Sequence, residues 1–149
     1  MTSQEAALPA IMVGPIKDYE MLKTAKGWEI ANQDYESYQL DAALINDLKS
    51  VLATFEKISI KLYVGTWCSD SQELVPHIVK VLDEVGINRN QISIIGLDCD
   101  KKCPENCQEV DQVTFVPTTI IYHDGVELGR MIEQPKVGVE ADILAILKK

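Results

Sequence analysis

Cysteine is the residue type with the most chemistry to offer in this chain, and its placement is uneven. Cys68 stands alone, while Cys99, Cys103 and Cys107 form a tight cluster. Cys68 lies in Trp67-Cys68-Ser69-Asp70-Ser71, where a run that alternates like a strand gives way to a run with helical spacing. A helix start presents unpaired N–H groups and roughly half a positive charge, which favours a thiolate over a thiol. The thiolate is the form that attacks a disulfide sulfur. Cys68 is therefore the expected nucleophile; the alternative is a buried, inert thiol. Ser71 carries a hydroxyl that can donate to that thiolate, whereas the Asp70 carboxylate opposes it.

The cluster Cys99-x3-Cys103-x3-Cys107 raises the question of a metal. Its spacing fits neither the usual C-x2-C zinc pairs nor the common iron–sulfur patterns, and Pro104 and Asn106 add no ligand. No metal and no cofactor are expected. Cys103 and Cys107 would share one face of a short helix at i, i+4. Cys99 or Cys103 is a candidate resolving thiol for an adduct on Cys68, which requires Cα separations below about 7 Å or a moving loop. The alternative is that all three are reduced bystanders.

The elements that must position these sulfurs are legible around them. Leu40, Ala43, Leu44, Leu48, Val51, Leu52 and Phe55 recur at helical spacing behind a capping Asp41. Ile58, Ile60, Leu62 and Val64 alternate as a strand. Leu74, Val75, Ile78, Val79, Leu82 and Val85 form a second helical stripe that stops at Gly86. Residues 92–97 read as a buried strand, and a short helix fits 103–110. Asp124-Gly125 between two β-prone runs signals a hairpin, and 139–147 closes the chain as an amphipathic helix. Residues 1–17 show no clear period and read as a β-poor arm, packed on the domain or partly disordered. The fold class is α/β, a mixed central sheet flanked by helices. The ends of strands 58–64 and 92–98 fall on one sheet edge, where ligand chemistry gathers in open α/β folds.

Composition narrows the function classes. The chain has 149 residues, 46% apolar and 25% charged, enough for one core without staples. The formal charge of −9 makes nucleic acid and anionic membrane poor partners. No apolar run approaches the roughly 18 residues of a membrane span. Residues 1–10 lack the basic start of a secretory signal, and four cysteines are too few for a disulfide-stapled scaffold. A cytoplasmic chain with mostly reduced thiols is the expectation; its oligomeric state is left open.

Trp67-Cys68-x-x-Ser71 resembles the Trp-Cys-x-x-Cys site of thioredoxins with its second cysteine replaced by serine. Pro76 is similar to their helix-kink proline, Val116-Pro117-Thr118 to their cis-proline loop, and Gly125 to the turn of their terminal hairpin. The ordered set covers about residues 30–148. It implies a thioredoxin fold, with residues 1–29 as an N-terminal extension, and a protein of the monothiol thioredoxin-like kind. The resemblance implies that Cys68 forms mixed disulfides with protein disulfides or glutathione adducts, with Trp67 and Ser71 beside it and Val116 and Pro117 lining the substrate groove. Glu133, in the loop after the hairpin, could orient a substrate, the alternative being a solvated surface glutamate. Leu62 and Gly96 stand where thioredoxins carry a proton-relay aspartate and its lysine, so an external thiol is expected to resolve the adduct. If Val116–Pro117 is cis, the Val116 main chain faces the cleft; a trans proline opening a strand is the alternative. Asp98 or Asp100 could accept the Trp67 indole N–H, or serve as turn caps. His77 and His123 read as surface positions, and Tyr19, Trp28, Tyr35 and Tyr38 as packing for the extension. A non-catalytic interaction module on this fold and a thiol redox sensor are the other function classes.

Overall fold

A computed structural model of the protein describes residues 11–149. Five strands form one sheet in the order β1-β3-β2-β4-β5. They are β1 (Gly14–Ile16), β2 (Ile58–Val64), β3 (Ile92–Gly96), β4 (Thr118–His123) and β5 (Val126–Ile132). β2 and β3 are parallel, with Leu62 opposite Ile94. The other three pairings are antiparallel. The helices are α1 (Tyr19–Leu22), α2 (Ala31–Ser37), α3 (Ala42–Leu52), α4 (Ser69–Glu84), α5 (Cys107–Val110) and α6 (Val139–Leu147). This is the mixed α/β thioredoxin architecture.

Local chemistry accounts for the boundaries. The Asp41 carboxylate accepts the Leu44 N–H at 3.1 Å and caps α3. Gly86, at φ +92°, lets the chain leave α4 in a left-handed conformation that side chains resist. Asp124 and Gly125 both take positive φ, the requirement of a tight type I′ hairpin turn between β4 and β5.

The two sheet faces are built differently. Ile58, Ile60, Leu62 and Val64 of β2 point into the larger core with Ile45 and Leu48 of α3, Leu74 and Ile78 of α4, and Ile143 and Leu147 of α6. Tyr63 points to the other face, into a smaller cluster with Leu97, Cys103, Val113, Val116 and Ile120. Among the described residues, Trp67, Cys68 and Cys107 pack against the cluster, the last from the four-residue α5.

The N-terminal segment differs from the β-poor arm expected of it. Gly14–Ile16 pairs with β3, and Tyr19, Leu22, Ala25 and Trp28 are buried in the larger core. Three residues that include a proline and a glycine give no strand periodicity, and Pro15 is tolerated because β1 is an edge strand. The first ten residues of the extension lie outside the described residues. The histidines also differ from simple surface positions. His77 stacks on Tyr38 with ring centroids 4.5 Å apart, and His123 meets Phe55 edge-on at 5.0 Å. Burial lowers the pKa of His77 from its ordinary value.

Candidate active site

Cys68 is the N-cap residue of α4, half-buried, with extended backbone. Its N–H donates to the Gly65 carbonyl at 2.9 Å, and its carbonyl accepts the Gln72 N–H at 3.0 Å. The sulfur thus sits at the positive end of a sixteen-residue helix. Its side chain makes no capping bond to the helix amides.

The loop before it is fastened from far away. The Thr66 carbonyl accepts the Trp28 indole N–H at 2.9 Å and the Gln72 side-chain amide at 3.0 Å. The Thr66 hydroxyl accepts the Met12 N–H at 3.1 Å. Ser71 is fully buried, and its Oγ accepts the Gly65 N–H at 3.2 Å. Gly65 has no room for a side chain, since a Cβ would lie 2.8 Å from the Trp67 ring.

The Trp67 indole N–H donates to the Leu97 carbonyl at 2.9 Å, which corrects the expectation of an Asp98 or Asp100 acceptor. Asp98 is occupied locally: its Oδ1 accepts the Asp100 N–H at 2.9 Å and the Lys102 N–H at 3.0 Å. The Lys101 ammonium lies 5.9 Å from the Trp67 ring centroid, a cation–π contact.

Across from the loop, the Val116–Pro117 peptide bond is cis. Val116 is buried in the smaller cluster against which Cys68 packs. The Pro117 carbonyl accepts the Glu133 N–H at 2.7 Å, so half-buried Glu133 lies beside the proline loop with φ +57°. Phe115, 49% exposed, precedes that loop.

The three clustered cysteines behave differently from a uniform set of bystanders. Cys103 and Cys107 form a disulfide with Cα atoms 5.7 Å apart, while Cys68 and Cys99 are free and Cys99 is exposed. The bond joins Cys103 to Cys107, whereas the sequence offered a resolving thiol in Cys99 or Cys103 or three reduced bystanders. Nor do the two cysteines share a continuous helix. Glu105 and Asn106, at φ +60° and +55°, break the chain between a 3-10 turn at 104–106 and α5. Among the described residues no group of three His, Cys, Asp or Glu side chains is arranged to hold a metal. No helix there is long and apolar enough to cross a membrane.

Several positioning groups carry no sequence signal. Trp28 and Met12 reach Thr66 across 38 and 54 residues, a separation no local pattern encodes. Asp111 is another. Its carboxylate accepts the Tyr63 hydroxyl at 2.6 Å, the Tyr122 hydroxyl at 2.7 Å and the Lys61 ammonium at 2.9 Å. Burial alone would raise the Asp111 pKa; these donors outweigh it and hold it below the ordinary value. Burial, then the Asp111 carboxylate, pushes both phenols up, so they remain protonated donors.

Leu62 and Gly96 acquire a physical reading here. Leu62 is fully buried in the larger core. At Gly96 the Met12 carbonyl occupies the place where a Cβ would stand, so the N-terminal segment fills the space a longer side chain would need.

The chain is 27% identical over 93 residues to a thioredoxin of Echinococcus granulosus, covering 60% of this chain and 78% of that one. A protein of unknown function from Pseudomonas aeruginosa superposes with a TM-score of 0.62 at 15% identity, covering 91% of this chain and 93% of the other. An HIV epitope scaffold superposes with a TM-score of 0.65 at 15% identity over the same shares. Both likenesses concern the fold. A family model described as Thioredoxin matches residues 43–146, more than half of the sequence, and the chain belongs to that family.

Proposed function

We propose that this is a thiol–disulfide redox protein in which Cys68 is the nucleophile and forms mixed disulfides with protein disulfides or glutathione adducts. One observation carries the reading: Cys68 is half-exposed at the start of α4 and packs against the cluster that holds Val116 of the cis-proline loop. The Cys68 thiolate attacks one sulfur of the substrate disulfide, and the other sulfur leaves and takes a proton. Trp67 forms one wall of the groove. The Val116 main chain, Pro117 and Glu133 hold an extended substrate segment in the manner of an added strand. Ser71, an alcohol in the position of a second thiol, donates to the thiolate and forms no disulfide itself. A cytoplasmic thiol pool would supply the electrons.

Two assays test this. Reduction of a glutathione adduct is expected to proceed and to be lost in Cys68→Ser, while insulin reduction is weak. Ser71→Cys is expected to raise insulin reduction, since it restores an attacking thiol one turn along the helix. Unchanged adduct reduction in Cys68→Ser would overturn the reading. The Cys103–Cys107 bond would then favour a redox sensor.

A further inference from the structure

The Cys103–Cys107 pair touches both the cluster against which the nucleophile packs and a groove open to solvent. Cys103 is 6% exposed, in the apolar cluster against which both Trp67 and Cys68 pack. The loop that carries it leans on the site, with Leu97 accepting the Trp67 indole N–H and Lys101 over the Trp67 ring. Cys107 is half-buried and lines a different cavity, a groove of about 310 Å³ with Pro15, Tyr63, Ile95 and Asp111 on its walls. Val110, 79% exposed, stands at its edge. Both cysteines thus belong to the cluster against which Cys68 packs, and Cys107 also lines a groove sized for a small molecule.

The surroundings suit both redox states. The buried Gln108 side-chain oxygen accepts the Cys103 N–H at 3.0 Å and stands 3.3 Å from the Cys103 sulfur. A reduced Cys103 thiol therefore has an acceptor already in place. The residues between the two cysteines, Glu105 and Asn106, hold left-handed backbone that non-glycine residues adopt at a cost. In the structure Cys103 and Cys107 are bonded to each other and Cys68 is free.

We propose that Cys103 and Cys107 together are the resolving couple of this protein, replacing the sulfur that Ser71 lacks, and that a small dithiol regenerates them through the groove at Cys107. The inference rests on Cys68 being the nucleophile. In the first step the Cys103 thiolate attacks the Cys68 sulfur of the mixed disulfide. The substrate sulfur leaves with the electron pair and takes a proton, and a Cys68–Cys103 bond forms. In the second step the Cys107 thiolate attacks Cys103 and Cys68 leaves as a thiolate. Over the cycle one substrate disulfide becomes two thiols, and the Cys103–Cys107 dithiol becomes a disulfide. The small dithiol then attacks Cys107, Cys103 leaves as a thiol facing Gln108, and the second thiol of the reductant frees Cys107. The Cys68–Cys103 step needs Cα atoms within about 7 Å.

The test uses the full chain, reduced with dithiothreitol, desalted, and mixed with glutathione disulfide. In the wild type, two glutathione thiols released per chain, a Cys103–Cys107 bond and a free Cys68 are expected. In Cys107→Ser the crosslink between Cys68 and Cys103 is expected to accumulate and to appear by peptide mass. In Cys68→Ser, oxidation of the pair is expected to slow by about tenfold or more, because the route through Cys68 is gone. A lasting glutathione adduct on Cys68 with Cys103 still reduced overturns the couple and leaves Cys68 as nucleophile. In Cys107→Ser, neither an adduct nor a crosslink at Cys68 overturns both readings. If Cys107→Ser does not fold, the thiol count and the Cys68→Ser rate decide: one thiol released, or an unchanged rate, overturns the proposal.

Discussion

The Gly65–Cys68 loop is fastened by groups distant in sequence, whereas residues 98–110 are shaped mainly by contacts made within the segment. Trp28 and Met12 converge on Thr66 from 38 and 54 residues away. By contrast, Asp98 bonds to Asp100 and Lys102, Cys103 bonds to Gln108, and the disulfide closes a separation of four residues. Three non-glycine residues in that segment, Lys101, Glu105 and Asn106, take positive φ. It is tied to the sheet at its ends, through Leu97 to Val64 and Trp67 and through Asp111 to Lys61, Tyr63 and Tyr122. A segment whose contacts are local can rearrange without undoing the main core. The nucleophile therefore sits on the fixed side of the cleft, and the disulfide on the side free to change.

Breaking the distant fastening should have the largest effect. Trp28→Ala removes a side chain that is 2% exposed together with the bond to Thr66, and should cost about 3–5 kcal/mol in urea unfolding. Amide exchange at Thr66–Cys68 should rise well above the global rate in the same variant. Gly65→Ala places a Cβ against the Trp67 ring and should cost about 1–3 kcal/mol, with slower alkylation of Cys68.

The anchor at Asp111 should matter less and should depend on pH. Asp111→Asn weakens three donor contacts and should cost about 1–2 kcal/mol near neutral pH. The folded carboxyl is held below its ordinary value, so its stabilisation is complete above about pH 3.9 and is lost as the pH falls through the folded pKa. Urea titrations near neutrality and in acid should show the gap between the two proteins closing in acid. The smallest effect belongs to the locally shaped side. Glu105→Gly relieves a left-handed residue but loosens the unfolded chain, and stability should stay within about 0.5 kcal/mol.

The same contrast explains what the sequence made legible. Strand β2, helices α3, α4 and α6, the hairpin and the Cys68 helix start were readable because period and punctuation are local signals. The cis loop beside Cys68 was readable only through resemblance. Strand β1, with Gly14 and Pro15 in three residues, had no pattern to detect, and its pairing depends on β3 eighty residues away. Trp28 looked like packing, because nothing near it indicates that its indole N–H reaches Thr66. The Asp111 cluster gathers residues from β2, β4 and a loop, so no single window contains it. Cys103 and Cys107 are joined across a backbone break at Glu105 and Asn106, which their helical spacing in the sequence does not signal.

The central claim concerns which free thiol attacks a disulfide. In the chain carrying Cys103→Ser and Cys107→Ser together, Cys68 and Cys99 alone remain, one half-buried at a helix start and the other exposed in a turn. Mixed with limiting glutathione disulfide and mapped by peptide mass over time, this chain should take the glutathione first on Cys68. Glutathione appearing first on the more exposed Cys99, with Cys68 unmodified, would contradict the account.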